Sequence, residues 1–290
     1  MIISASYRTD IPAFYADWFV ERLALGRVDV RNPYSARVDT VDLRPQSVDG
    51  FVFWTRNMAP FTDALRLVED AGYPFTVQYT VTGYPRLLEE RVIRPEQAIR
   101  SIQDLSDQFG PRAVVWRYDP IILSQQTDTA WHLETFRSLL AELEGYVDEC
   151  ALSFMEPYAK TQRNLKPVAA ELALREPDEA AKLDLLNELA PMAEEAGVQL
   201  TLCTQPALVD ASGLPAARCV DADRLSDVAG YEIEAKVKGN RKGCLCHESR
   251  DIGAYDTCPH GCLYCYAVND RDKAVARYKE HRPSDKGLCL

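Results

Sequence analysis

The chain has 290 residues, 47% of them hydrophobic and 9% aromatic, which is enough for one barrel-sized core or two smaller ones. Lys and Arg number 33 against 44 Asp and Glu, and the net charge of −11 disfavours a protein whose main task is gripping a phosphate backbone. No stretch approaches the roughly 20 apolar residues of a membrane span, and the opening MIISASYRTDIP lacks the apolar run of a signal peptide, so the expectation is a cytoplasmic protein with no membrane partner and no nucleic-acid partner.

Short β-branched or aromatic runs alternate with amphipathic segments from the start. Residues 2–7 read as a strand, and Arg8, Thr9, Asp10 and Pro12 as a helix entry. Phe14, Trp18, Phe19 and Leu23 fall on spacings of three and four, predicting a helix that Gly26 ends. Alternation around Asn32 and Pro33 predicts a small hairpin within 28–43. The run FVFWT at 51–55 suits a strand buried on both faces. A helix at 59–71 is closed by Gly72, a strand follows at 75–81, and a helix with Pro in its first turn spans 95–109. Next come a strand at 113–118, a helix at 129–143 and a strand at 150–155. Helical stretches at 164–175 and 179–196 precede strands at 198–203 and 232–237, with a closing helix at 266–281.

This alternation implies parallel strands with right-handed crossovers, and six or seven such units predict an α/β fold built as a complete or partial β/α barrel. No internal repeat or linker divides the chain. One domain is expected, with a barrel body over 1–238 and a cysteine-rich loop and closing helix over 239–290.

The residues just past each strand are polar or aromatic: Arg8 and Asp10, Arg56 and Asn57, Thr80, Thr82 and Gly83, Arg117 and Asp119, Glu156 and Tyr158, Thr204 and Gln205. In a β/α barrel such positions share the functional face; for Asp10, Thr82 and Asp119 a capping or turn role is the equal alternative. A charged residue closing an apolar strand needs a partner, a ligand or water. Arg117, Asp119 and Glu156 are therefore the catalytic candidates, Arg117 to grip a carboxylate and Glu156 to accept an amino group or act as a base. An internal Arg–Glu ion pair across the barrel mouth is the competing reading. Arg56 and Thr82 are candidates for cofactor binding.

Nine cysteines occur, and five of them fall between Gly243 and Tyr266. Cys258, Cys262 and Cys265 are spaced C-x3-C-x2-C, with Tyr264 before the last. A turn through Pro259, His260 and Gly261 brings these thiols together, as an iron–sulfur cluster requires. Structural zinc is the alternative for such a window, although two C-x2-C knuckles would be its usual pattern. Cys244 and Cys246 either supply a fourth ligand, closing the cluster, or line the pocket. His247 and His260 are expected to serve the loop rather than the metal. Cys150, Cys203 and Cys219 are dispersed and read as buried bystanders, Cys203 ending a strand within reach of the active face; Cys289 is read as incidental.

The eight-residue segment from Cys258 to Cys265 resembles the radical S-adenosylmethionine (SAM) signature, which has an aromatic residue at the position of Tyr264. The resemblance implies a [4Fe–4S] cluster ligated by Cys258, Cys262 and Cys265, with SAM bound to the fourth iron and cleaved reductively. It also implies a small-molecule substrate and an electron donor such as a ferredoxin or flavodoxin. Two features depart from that pattern. The superfamily carries its motif after the first barrel strand, whereas here it comes last, which a circular permutation would reconcile, the 232–237 strand standing in for the motif-bearing strand. No clear Gly-Gly-Glu segment is present for the SAM amino group. A four-thiolate cluster without SAM, for electron transfer or as a Lewis acid, is the second reading. Through SYRTDIPAFY, FVFWTRN, YTVTGY, VVWRYDPI, LSFMEPY and DIGAYDTCPHGCLYCYA the whole sequence is similar to a bacterial family catalogued as domain of unknown function 1848, which implies an iron–sulfur protein and no particular reaction.

Overall fold

A computed structural model describes residues 1–35 and 37–290. In chain order the strands are β1 Ile2–Ala5, β2 Arg27–Arg31, β3 Val38–Asp42, β4 Gly50–Thr55, β5 Phe75–Thr80, β6 Val114–Ile121, β7 Glu149–Phe154, β8 Gln199–Leu202 and β9 Ser249–Asp251. The helices are α1 Ile11–Phe14, α2 Ala16–Ala24, α3 Thr62–Asp70, α4 Pro95–Phe109, α5 Thr129–Leu143, α6 Ala159–Leu165, α7 Ala169–Leu172, α8 Glu179–Glu195, α9 Pro206–Ser212, α10 Ala222–Ala229 and α11 Arg271–Glu280. Seven strands form one parallel sheet in the order β8-β7-β6-β5-β4-β1-β9, while β2 and β3 pair as a separate antiparallel hairpin. The predicted hairpin is present, and its residue 36 lies outside the described residues. Among the described residues no ladder joins β8 to β9, so of the two expected forms the complete barrel is corrected: the α/β sheet is open, and the outer side of β8 meets only a short strip through a bridge from Leu202 to Ala216.

Alternation along the buried strands sends successive side chains to opposite faces. Ile3, Phe51, Phe53, Val77, Val114 and Trp116 face the flanking helices. On the other face Ile2, Val52, Val115 and Ala151 pack against Val220, Ala222 and Leu225 at the start of α10. Further along the strands that second face turns polar, with Ser4, Gln78 and Arg117 all buried.

Three expectations are corrected. Residues 232–237 are not a strand: Ile233 alone is buried, and a single bridge, Val237 to His247, is all that forms. The seventh strand is instead β9, whose Ser-Arg-Asp sequence carries no intrinsic β signal and is extended because β1 offers it an edge. The helix predicted at 164–175 is broken by a 3-10 turn over Lys166–Val168, where Pro167 has no N–H to donate. The closing helix starts at Arg271 rather than 266, because the Asp270 side chain caps it by accepting from the Lys273 amide.

β9 is pinned to β1 by one buried carboxylate. Asp251 accepts hydrogen bonds from the Ser4 hydroxyl (3.0 Å), the Ser6 hydroxyl (2.7 Å), the Tyr7 amide (3.0 Å) and the Gly253 amide (2.9 Å), and Arg8 Nε lies 3.6 Å away. Burial raises the Asp251 pKa, and Arg8 with these donors only partly offsets it. Gly253 has no alternative residue here, since a Cβ would sit 2.1 Å from the Ser6 hydroxyl oxygen. Asp251→Ala should lower unfolding free energy by roughly 3 kcal/mol by stranding these donors, with Asp251→Asn costing less; urea denaturation reads both.

His132 sits fully buried on α5, with Nε2 bonded to the Ile122 carbonyl (3.0 Å) and Nδ1 to the Tyr118 hydroxyl (2.7 Å). The carbonyl requires a proton on Nε2, so Nδ1 accepts and the ring is neutral. Burial lowers its pKa from 6.5 to about 4. The unfolded chain therefore takes up a proton first, and stability falls as pH drops from 6.5 to about 4, by about 3 kcal/mol in all. His132→Gln should flatten this part of the stability–pH profile.

Candidate functional site

At the C-terminal ends of the strands lies a cavity of about 710 Å³. Seven of the nine cysteines line it: Cys203, Cys219, Cys244, Cys246, Cys258, Cys262 and Cys265. They stand in two groups on separate walls, one packed with the 84–92 loop and the other with the start of α10.

The first group is the loop that follows β9. Its path is set from three sides. Tyr15 on the α1–α2 corner donates its hydroxyl to the Thr257 carbonyl (2.6 Å), and Asn164 on α6 donates to the Val268 carbonyl (3.0 Å). The 84–92 loop after β5 supplies an antiparallel bridge from Glu89 to Cys262, with Leu263 N donating to Leu88 O (3.0 Å) and Arg91 N to His260 O (2.9 Å). Backbone N–H groups adjoin the thiols: Ala267 N donates to Cys265 Sγ at 3.4 Å, and the His260 N–H lies near Cys258. Burial raises the pKa of Cys258 and Cys265 and pushes Cys262 up to about 12. A bound cation would reverse that order and hold all three as thiolates. Four buried polar atoms on residues lining the cavity make no hydrogen bond; Arg8 Nε and Arg56 Nη1 have ion-pair partners, whereas His260 Nδ1 and Thr9 Oγ1 have none.

Behind this loop sits a buried ionic knot. Arg56 Nη1 lies 2.7 Å from Glu89 Oε1, an ion pair whose angle misses hydrogen-bond geometry, while Arg56 Nη2 and Glu89 both bond the Tyr264 hydroxyl. Thr82 donates to the same carboxylate at 2.6 Å and does not line the large cavity. Arg56 and Tyr264 thus reach the cavity wall, and Thr82 supports them from behind. Asp10 does both things the sequence allowed: it caps α1 through the Ala13 amide (2.9 Å) and holds His260 Nε2 (2.8 Å).

The barrel-mouth candidates separate in a similar way. Arg117 is buried and committed, donating to Asp119 (2.5 Å), Gln78 (3.1 Å) and Cys219 Sγ (2.8 Å), with Trp54 stacked 5.2 Å from its guanidinium carbon. Asp119, which also accepts from Ser153, is held below the usual carboxylate range: burial works to raise it, and Arg117 with these bonds outweighs that. The anticipated Arg–Glu pair across the mouth does not form. Glu156 is exposed at the rim, and Gln205 Nε2 donates to it at 3.3 Å.

The second group departs from the sequence expectation in its grouping: Cys244 and Cys246 line the pocket, as one of their two readings had it, and Cys203 reaches it, but Cys219 is no dispersed bystander. Cys244 and Cys246 do not join the loop after β9; they gather with Cys203 and Cys219, the two read as bystanders. Cys203 follows β8, and the strip carrying Cys219 runs back along that strand through Ala217 N to Leu202 O (2.8 Å). The strip carrying Cys246 is joined to it by His247 N to Val220 O (2.9 Å). Sequence spacing cannot show this, since α9 and α10 intervene between the four thiols. The one legible signal was the position of Cys203 at a strand end. Cys150, inside β7, and Cys289 stay outside both groups.

Among the described residues, Asp221, Asp223 and His247 are the only metal-binding side chains in a group of three with ligand atoms within 4.8 Å of one another. Their bonds are local: Asp221 accepts from Asp223 N, His247 Nδ1 accepts from Ala222 N, and Asp223 pairs with Arg218, which is how the start of α10 is capped. The sulfurs of Cys258, Cys262 and Cys265 are therefore not all within 4.8 Å of one another. Tetrahedral zinc, with Zn–S near 2.3 Å, would need sulfur–sulfur edges of about 3.8 Å.

A family model described as "Domain of unknown function (DUF1848)" matches residues 2–267. No curated protein matches the sequence. Solved structures similar to this one include a D-hydantoinase from a Bacillus sp. AR9, at 10% identity and a TM-score of 0.33 over 72% of this chain and 42% of that one. The L-hydantoinase (dihydropyrimidinase) of Arthrobacter aurescens gives 13% identity and a TM-score of 0.32 over 72% of this chain and 43% of that one. The chain thus spans under half the length of these neighbours, at similarities too low to carry an argument about function.

Arg56→Ala should strand the Glu89 carboxylate in the protein interior and cost about 3–5 kcal/mol of stability. Replacing Arg56 with Met and Glu89 with Leu together should recover only part of that loss, because the buried Tyr264 and Thr82 hydroxyls lose their partners, as measured by denaturant unfolding.

Proposed function

This chain belongs to the DUF1848 family, and we propose that it is an iron–sulfur enzyme of radical SAM type, with Cys258, Cys262 and Cys265 holding a cluster that faces the large cavity. The observation that carries the reading is that all three thiols of the C-x3-C-x2-C loop line a cavity of about 710 Å³, inside the usual range of roughly 300–1,000 Å³ for ligand pockets. The three sulfurs are not all within 4.8 Å of one another, which leaves the room a multi-iron centre needs. The backbone N–H groups near Cys258 and Cys265 suit thiolates bound to iron, whose potential such bonds tune.

The strand order supports a permuted relation to that superfamily. β9, which leads into the cysteine loop, lies beside β1, and β4, β5, β6, β7 and β8 follow in space. Counted across the sheet rather than along the chain, the motif-bearing strand comes first. That strand is β9, not the segment at 232–237.

When bound, the cluster would supply the electron that cleaves SAM to a 5′-deoxyadenosyl radical. The chain's own residues do the rest. Arg56, Glu89 and Tyr264 hold the loop rigid against the sheet, and Asp10 orients His260 beside Cys258. Arg117 is fully engaged and acts as a wall and a fixed positive charge rather than as a carboxylate grip. Glu156, at the rim, remains able to meet a substrate or the SAM amino group.

Protein purified without oxygen should contain iron and acid-labile sulfide, with Cys258→Ala, Cys262→Ala and Cys265→Ala each removing that centre. Reduction with dithionite in the presence of SAM should then yield 5′-deoxyadenosine. An intact, reducible cluster that leaves SAM uncleaved would rule out the SAM chemistry and favour a cluster protein of another kind.

A further inference from the structure

The second cysteine group has no place in the reading above, which uses three thiols on one wall. Four thiols meet on the opposite part of the same cavity, brought there by three separate strips of chain. Cys203 Sγ and Cys219 Sγ are 3.8 Å apart, the edge length of about 3.8 Å that tetrahedral M–S bonds near 2.3 Å require. Cys246 lies beside both Cys219 and Cys244, so the four thiols form a continuous row.

Ordinary burial of thiols does not account for what surrounds them. Buried cysteines used as small apolar fillers sit among hydrocarbon, as Cys150 does inside the main core. Here two guanidinium groups aim at sulfur. Arg117 Nη1 is 2.8 Å from Cys219 Sγ, and Arg241 Nη2 is 3.7 Å from Cys203 Sγ. Four thiolates around one divalent cation leave a net charge of about −2, which Arg241 and, in part, the Asp119-paired Arg117 would offset. The Val220 amide also donates to Cys246 Sγ, at 3.4 Å. The loop that delivers Cys244 is folded so tightly that a Cβ on Gly239 would lie 2.1 Å from the Cys244 carbonyl oxygen.

We propose that Cys203, Cys219, Cys244 and Cys246 form a second, four-thiolate site for a soft metal, a single zinc-like ion or a compact iron–sulfur cluster, facing the same cavity as the C-x3-C-x2-C loop. As it stands the row is open, since no three of its sulfurs lie within 4.8 Å of one another. Binding closes it by drawing in Cys244, which is only half-buried on its loop. All four ligands are protein thiolates, so the site has no vacancy for a substrate; its role is to hold the wall of the cavity and, if the metal is iron, to relay electrons toward the loop after β9. The assignment does not rest on SAM chemistry or on the three-thiol site.

The test counts metal in the full chain. Zinc, iron and acid-labile sulfide are measured after anaerobic purification in four proteins: the parent, Cys258→Ala/Cys262→Ala/Cys265→Ala, Cys219→Ala/Cys246→Ala, and all five changes together. The triple variant should keep one centre, the double variant should lose that centre and no other, and the five-fold variant should hold none. Zinc without sulfide identifies the single-ion form, and iron with stoichiometric sulfide the cluster. Cys150→Ala, which removes a buried thiol outside both groups, should leave the metal content unchanged. To keep loss of metal apart from loss of fold, Cys244→Ser, a change on a half-buried loop, should weaken the retention of metal against a chelator at least tenfold with no change in circular dichroism. A folded triple variant that retains no zinc or iron after reconstitution with either, a double variant with undiminished metal, or a Cys203–Cys219 disulfide in protein alkylated under denaturing conditions would each overturn the assignment.

Discussion

The Asp251 carboxylate is the constraint on which the rest hangs. β9 has three residues and no sequence preference for extension, yet it carries the cysteine loop. What fixes it is a charge buried at the junction with β1, satisfied by two serine hydroxyls, two amides and a flanking arginine. Parallel pairing by itself gives so short a strand little. The saturated carboxylate makes register specific, because slipping β9 by one residue would turn Asp251 to the other face. Loop position, cavity shape and the neighbourhood of Cys258 all follow from that register.

Most of the scaffold was legible because its segments agree with themselves. FVFWT and the runs after it are strands by composition and by burial alike, and the helices at 95–109 and 129–143 begin and end where their caps and apolar faces predict. What stayed hidden depended on tertiary context. The segment at 232–237 has the alternation of a strand but turns charged residues to solvent and pairs only through the bridge from Val237 to His247. β9 has no pattern and finds one. Closure was left open between a complete and a partial barrel because the count of β/α units says how many strands there are, not whether the two outer ones meet. At the site, contiguity made Cys258, Cys262 and Cys265 readable as a unit. Cys203 and Cys219 could not be tied to Cys244 and Cys246 without knowing how the strip after β8 folds back. Glu89 carried no signal in its loop, though it completes the ion pair with Arg56.

The cavity does not share the acidic balance of the molecule. The chain is acidic overall, but Arg8, Arg56, Arg117 and Arg241 all line this one space. Three of them have carboxylate partners, in Asp251, Glu89 and Asp119, so the walls are rigid and close to neutral rather than strongly basic. Arg241 instead touches the Tyr158 hydroxyl and the Cys203 sulfur. Such fixed pairs resist rearrangement when a charged ligand enters, and they place positive charge near sulfur without leaving it exposed to solvent.

The neighbouring positions of β1 and β9 also bear on how the molecule assembles at the ribosome. Synthesis delivers β1 and then β4 to β8 in the order in which they stack across the sheet, so the scaffold can grow one strand at a time as it emerges. Through all of that time the outer edge of β1 has no partner, and an unpaired edge is a template for unwanted pairing between chains. The strip that covers it is the one leading into the C-x3-C-x2-C thiols, so shielding of the nascent sheet and arrival of the metal-binding loop are a single late event.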